Sequence, residues 1–194
     1  MTRRENRGGR RRPKLTSKPL VLVLCGAAET ERQYFCALRS HLRTLAVDVQ
    51  FESEAVDPVT LVSKAKRWRN RNPDAYDEIW CVVDVDEFDI DAARAAAKQA
   101  KIRLAVSNPC FEYWLLLHFE DYDGALPDCA TAERRLKRYV RHYRKASIVF
   151  DDYKEGLADA RARAERRCEH ECEHQRNPSS GVWRLVDVMD GRAT

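Results

Sequence analysis

Two pairs of acids stand out by type and spacing. Asp84 and Asp86 close the apolar run EIWCVVDVD at 78–86, and Glu29 and Glu31 follow the apolar run PLVLVLC at 19–25. Side chains two apart on an extended chain point to the same face, so a strand that continues through Asp86 aims both aspartates one way. Carboxylates that close repel each other, and a divalent cation relieves the repulsion. Mg²⁺ (or Mn²⁺) takes a few carboxylate oxygens, keeps water in the rest of its shell and leaves room for a phosphate oxygen. Such an ion polarises a phosphodiester and activates water. Glu31, Asp84 and Asp86 are therefore the candidate metal ligands and catalytic acids, with Glu29 assisting. A plainer reading stands beside this one. Acids in a loop after a strand can cap the next helix, and an acid in a first helical turn is favoured by the helix dipole.

Basic residues form three groups. Arg134, Arg135, Lys137, Arg138, Arg141, Arg144 and Lys145 crowd one segment, and Lys64, Lys66, Arg67, Arg69 and Arg71 surround Trp68. Residues 1–18 carry eight basic side chains against the single acid Glu5. Lys and Arg contacts to phosphates give salt-dependent, sequence-independent affinity for nucleic acid. Charge runs also serve simply as solvated helix faces, and the leader as a solubilising tail. Cys168, His170, Cys172 and His174 alternate in a way that suggests zinc. On one helix, at about 100° per residue, the cysteines share a face and the histidines lie roughly opposite. A zinc site there requires the helix to break.

The elements that would position these groups follow from periodicity. Residues 19–25 form a buried strand, and Tyr34, Phe35, Leu38, Leu42 and Leu45 mark a helix with Thr30 as its cap. A second strand runs over 47–53. Asp57 caps a helix with Pro58 in its first position. The third strand is 78–86, residues 90–100 are an Ala-rich helix, and 102–109 is a fourth strand closed by Asn108-Pro109. An apolar helix covers 110–122. This alternation predicts an α/β fold, a mainly parallel sheet with helices on both faces. Beyond it lie a basic helix over 131–146, a long charged helix over 151–175 that Gly156 is expected to break, and a turn leading into a short apolar helix over 177–189. The expected organisation is an arm at 1–18 and one domain at 19–194, with 131–194 as a helical appendage. In open parallel sheets chemistry gathers at the carboxyl ends of the strands, where both acidic pairs fall.

Composition sets the frame. The chain has 194 residues, 44% of them hydrophobic, so one globular core is expected. No apolar run approaches the ~20 residues of a membrane helix, and the leader lacks the apolar stretch of a signal peptide. The seven cysteines are an odd number. They read as reduced thiols rather than a disulfide framework. A cytoplasmic location is the expectation.

The segments VLVLCGAAETERQYFCALR (21–39), DPVTLVSKA (57–65), YDEIWCVVDVDEFD (76–89), IRLAVSNPCFEYWLLLHFEDY (102–122) and NPSSGVWRLV (177–186) resemble the RloB-like family. The string SNPCFEYWLLLHF is the most distinctive. The resemblance implies a Toprim-type fold, which holds Mg²⁺ with a glutamate after the first strand and an Asp-x-Asp after the third. It implies a nuclease of a restriction or abortive-infection locus in phage defence, acting on DNA or RNA beside an ATPase partner. It also draws in Ser107, Asn108 and Glu112, with Asn108 as a phosphate donor and Glu112 as a further acid; the alternative is that Asn-Pro makes a turn and Glu112 stabilises a helix start. The family pattern reads Cys-Glu-Gly-x-x-Thr-Glu after the first strand, whereas this chain reads Cys25-Gly26-Ala27-Ala28-Glu29-Thr30-Glu31. Gly26 thus occupies the place of the principal glutamate. Three outcomes remain open: Glu29 or Glu31 fills the gap, the metal binds with fewer carboxylates, or the chain is a catalytically degenerate subunit that binds nucleic acid or an ATPase. Haloacid-dehalogenase-type phosphatases also place Asp-x-Asp after a strand, but after the first strand of the core rather than the third.

Overall fold

The computed structural model describes residues 20–26, 29–44, 46–51, 56–85, 90–168 and 172–192. The elements run β1 (Val21–Cys25), α1 (Glu29–His41), β2 (Val47–Phe51), α2 (Pro58–Arg71), β3 (Glu78–Asp84), α3 (Ile90–Gln99), β4 (Arg103–Asn108), α4 (Phe111–Leu116), α5 (Cys129–Leu136), α6 (Leu157–Arg167), β5 (Ser179–Ser180) and α7 (Val182–Asp190). The strands form one sheet in the order β2-β1-β3-β4-β5. The first four are parallel, with Val23 level with Trp80 and Asp84 level with Ser107. The two-residue β5 joins the edge antiparallel, Ser107 opposite Ser180. The basic arm at 1–18, together with Asp86 and His170, lies outside the described residues.

Alternation along the strands divides the core in two. Val21, Val23, Cys25, Trp80, Val82 and Ala105 pack with residues of α1 and of α4–α7. Leu22, Leu24, Ile79, Cys81, Val83 and Val106 face the other way, onto α2 and α3. A strand covered on both faces needs apolar residues at every position, which is why these strands read as continuous hydrophobic runs. The residues beyond 131 contribute Leu136, Val140, Tyr143, Ala160, Ala164 and Leu185 to the first of these clusters.

Local chemistry accounts for most element bounds. Asp57 caps α2 as expected, accepting from the Thr60 amide at 2.9 Å and the Thr60 hydroxyl at 2.6 Å. The α1 helix differs. It begins at Glu29, ahead of Thr30, and the Thr30 hydroxyl instead accepts from the Ala146 amide at 3.0 Å. The apolar helix expected over 110–122 ends at Leu116.

The expected basic helix over 131–146 is also corrected. Helix α5 stops at Leu136, and the chain continues through tight turns in which the Tyr139 amide donates to Leu136 O and the Tyr143 amide to Val140 O, each at 3.0 Å. Leu136, Val140 and Tyr143 are still buried, but by turns rather than helical periodicity. The charged helix over 151–175 is likewise shorter. Short 3₁₀ turns at Phe150–Asp152 and Lys154–Gly156 precede α6, which ends at Arg167, before another at Glu173–Gln175. Gly156 stands just ahead of α6, and only glycine fits there: a Cβ would run into the backbone carbonyl of His118.

Candidate active site at the strand ends

The carboxyl ends of β1, β3 and β4 deliver three acids to one place. Glu31 lies in the first turn of α1, Asp84 ends β3, and Glu112 lies in the first turn of α4. Their charges act on one another. Burial raises Glu31 from 4.5 to about 7, with Glu112 adding to the rise and Lys145 opposing it. Asp84 is raised well above the ordinary carboxylate range, chiefly by burial, then by Glu31 and Glu112; the Phe111 amide works against the rise. Asp84 as a residue is half-buried, but its Oδ1 is sealed from solvent without a hydrogen-bond partner, as is Oε2 of Glu31. Unmatched buried carboxylate oxygens are costly and hold protons unless a cation meets them.

Glu112 is better matched. Its Oε1 accepts from the Tyr143 hydroxyl at 3.0 Å and lies 3.4 Å from the Lys145 ammonium. Burial and the Glu112 charge keep the Tyr143 phenol protonated, far above its ordinary range. Two thiols complete the cluster. Ligand atoms of Cys110, Glu112 and Cys129 all lie within 4.8 Å of one another. Cys110 is held above the ordinary thiol range by its hydrogen bond with Cys129 and by burial. No disulfide joins any of the seven cysteines.

Gly26 sits just beyond β1 at this same edge, and a Cβ added to it meets nothing within 4 Å. The position where the family pattern carries a glutamate therefore has room for a side chain.

The other expected residues fall elsewhere. Glu29 stays exposed and accepts from Gln33 at 3.4 Å. Residues two apart on a helix point about 200° apart, so Glu29 and Glu31 cannot share one site. Asn108 is buried, and its amide donates to the Glu173 and His174 carbonyls at 3.0 and 3.3 Å. It ties the 173–175 turn to the sheet, so its donors face the chain rather than a phosphate. Ser107 pairs with the Ser180 hydroxyl at 3.2 Å.

The basic residues do not form one helical stripe, because α5 ends too early. Arg135 donates to Glu120 at 2.7 Å and lies 3.7 Å over the Tyr122 ring, while Lys137 pairs with Glu133 at 2.6 Å. Arg134, Arg138 and Arg141 are exposed. On α2, Arg69 caps α3 by donating to the Ala100 and Lys101 carbonyls at 2.7 and 2.8 Å. The helix does break at Cys168, the condition for a zinc site there. However, Cys168 Sγ accepts from the Cys172 amide at 3.2 Å, and His174 Nε2 meets Arg94 at 2.8 Å. These groups are not gathered around a common point among the described residues.

Cys110, Cys129, Tyr143 and Lys145 are the site residues that sequence reasoning missed. Cys110 stands two residues from Glu112, a spacing that could have drawn it in. Cys129 gives no such signal, since it reaches the site only through the path of the chain between α4 and α5.

A family model described as RloB-like protein matches residues 21–189. No curated protein and no solved structure matches the chain significantly. Among the described residues no helix is long and apolar enough to cross a membrane.

Proposed function

Because the chain belongs to the RloB-like family, whose model spans residues 21–189, we propose that it is a metal-dependent nuclease of a phage-defence (restriction or abortive-infection) system, acting on DNA or RNA. The observation that carries this reading is the meeting of Glu31, Asp84 and Glu112 at one sheet edge, with buried carboxylate oxygens on Glu31 and Asp84 that no protein donor meets. That donor set suits a hard divalent cation, Mg²⁺ or Mn²⁺, held by Glu31 and Asp84. Bound there, the ion supplies Lewis-acid polarisation of a phosphodiester and lowers the pKa of a coordinated water. The resemblance to Toprim proteins assigns the same role to an acid after the first strand and an Asp-x-Asp after the third; Asp86 would supply the second of that pair.

The chain's own groups divide the remaining work. Glu31, with a pKa of about 7 before an ion enters, would give up its proton near neutral pH as it takes the ion. Tyr143 and Lys145 hold Glu112 in place, by a hydrogen bond of 3.0 Å and an ion pair of 3.4 Å. Arg134, Arg138 and Arg141 stand exposed on the same 129–145 stretch that delivers Cys129 and Lys145 to the acids, and they would grip the phosphate backbone. An ATPase partner would supply control.

Gly26 favours a second reading, a degenerate subunit that binds nucleic acid or the ATPase without cutting. One assay separates the two: cleavage of single- and double-stranded DNA and RNA with Mg²⁺ or Mn²⁺. On the nuclease reading the parent chain cuts, and Asp84→Asn loses at least about a hundredfold of the rate. On the degenerate reading only Gly26→Glu cuts. If neither the parent nor Gly26→Glu cuts any substrate, the nuclease reading fails.

A further inference from the structure

The two thiols beside the acids are not used by a magnesium-dependent reading, and Mg²⁺ has little affinity for sulfur. Cys110 and Cys129 arrive from different elements, the start of α4 and the start of α5. With Glu112 they bring two sulfurs and a carboxylate oxygen within 4.8 Å of one another. A tetrahedral zinc ion with Zn–S bonds of about 2.3 Å sets its sulfurs roughly 3.8 Å apart. The cluster is therefore close to the required size.

Cys129 is the first residue of an eight-residue helix capped by Asp128, which accepts from the Thr131 amide at 2.7 Å. A thiolate at a helix N-terminus is stabilised by the helix dipole. A separate observation points to an ion in the same place. The buried Oδ1 of Asp84 has no partner, and this carboxyl is close enough to feel the charges of both Cys129 and Glu112.

We propose that Cys110, Cys129 and Glu112 form a binding site for a borderline divalent ion, zinc above all, with the Asp84 carboxyl beside its open fourth position. Three protein ligands and one open position are the pattern of a catalytic rather than a purely structural zinc centre. The site is distinct in chemistry from the carboxylate-only pair of Glu31 and Asp84, although Asp84 borders both. Zinc must displace the thiol protons, so binding releases protons and strengthens as pH rises. The Lys145 ammonium, now beside Glu112, is expelled toward solvent when the ion enters. Its side chain is 58% exposed and free to swing out.

The test uses the full chain, stripped with a chelator and titrated with Co²⁺ and then Zn²⁺ in the absence of nucleic acid. Cobalt bound by two thiolates gives intense sulfur-to-metal charge-transfer absorption and tetrahedral ligand-field bands, which zinc then bleaches. One equivalent is expected to bind, with proton release. Cys129→Ser, at a half-buried position, is expected to lose most of the charge-transfer intensity and to weaken zinc by more than the roughly 10- to 100-fold typical of changes outside the ligand set. Glu112→Gln keeps the sulfur bands and lowers affinity. Cys36→Ser, in the groove that Arg32, Gln33 and Ile148 also line, changes neither. Circular dichroism confirms that each variant is folded. A spectrum without sulfur bands overturns the proposal. So does a spectrum that Cys129→Ser leaves intact, because the ion then sits on other thiols. The cobalt spectrum is read without substrate, so an inactive nuclease leaves it unaffected, and a silent spectrum leaves magnesium-dependent cleavage standing.

Discussion

Glu31→Gln should make the protein more stable, by an amount that grows as pH rises from 4.5 to about 7 and then stays constant. In the folded chain Glu31 is raised from 4.5 to about 7, chiefly by burial. The unfolded chain releases this proton near the ordinary value, while the folded chain keeps it until about 7. Between those limits the folded state binds more protons, so this group's contribution is fully present below 4.5 and is lost as pH rises through 7. At about 1.4 kcal/mol per pH unit, ionising Glu31 inside the fold costs roughly 3 kcal/mol. The glutamine keeps the shape and removes the ionisation. In chelator at about pH 8, the variant should therefore exceed the parent by up to about 3 kcal/mol, or roughly 6–12 °C in Tm for a chain of this size. At about pH 4, below both values, the two should melt together. Millimolar Mg²⁺ should raise the parent's Tm and leave the variant's almost unchanged, because only the parent binds it in the folded state. Differential scanning calorimetry across pH, with and without Mg²⁺, measures all of this. A variant that is less stable than the parent at both pH values, or an equal Mg²⁺ response in the two proteins, refutes the idea that Glu31 is held against neighbouring acids.

Acid should act through a different group. Burial lowers His118 from 6.5 to about 4, with its Nδ1 2.7 Å from the Tyr153 carbonyl and its Nε2 3.1 Å from the Tyr34 hydroxyl. The stability it contributes is present above 6.5 and is lost as pH falls through 4, and His118→Gln should flatten the acid limb of a Tm-against-pH curve. Gly156→Ala should cost about 1–3 kcal/mol, read by chemical denaturation, because the added methyl meets backbone that cannot swing away. Arg134, Arg138 and Arg141 changed together to glutamine should weaken nucleic-acid binding and lower the slope of log affinity against log salt by about 2–3. An unchanged salt slope in fluorescence anisotropy would remove these residues from the interface.

The parallel sheet was legible because β1 and β3 are buried on both faces and so read as apolar runs, and because Asp57-Pro58 marks a helix start. Glu31 and Asp84 could be placed at one edge because each follows the carboxyl end of a strand read as parallel. What could not be read was the path after Leu136. The apolar spacing of Leu136, Val140 and Tyr143 fits a helix, yet the chain turns so that Tyr143 and Ala146 bond to Glu112 and Thr30. Those tertiary bonds outweigh a local preference worth only tenths of a kcal/mol per residue. Glu29 and Asn108 misled for related reasons: the first lies on the wrong side of its helix, and the second spends its donors on the 173–175 turn.

The order in which the site's parts occur along the chain has a consequence for biosynthesis. Glu31, Asp84 and Glu112 all precede the 117–128 connection, whereas Cys129, Tyr143 and Lys145 follow it. A nascent or proteolysed product ending within that connection would carry the acids but neither the second sulfur nor the ammonium that now lies against Glu112. The zinc site proposed above would thus be complete only once Cys129 has been made, and a fragment ending before it should give no sulfur-to-cobalt band.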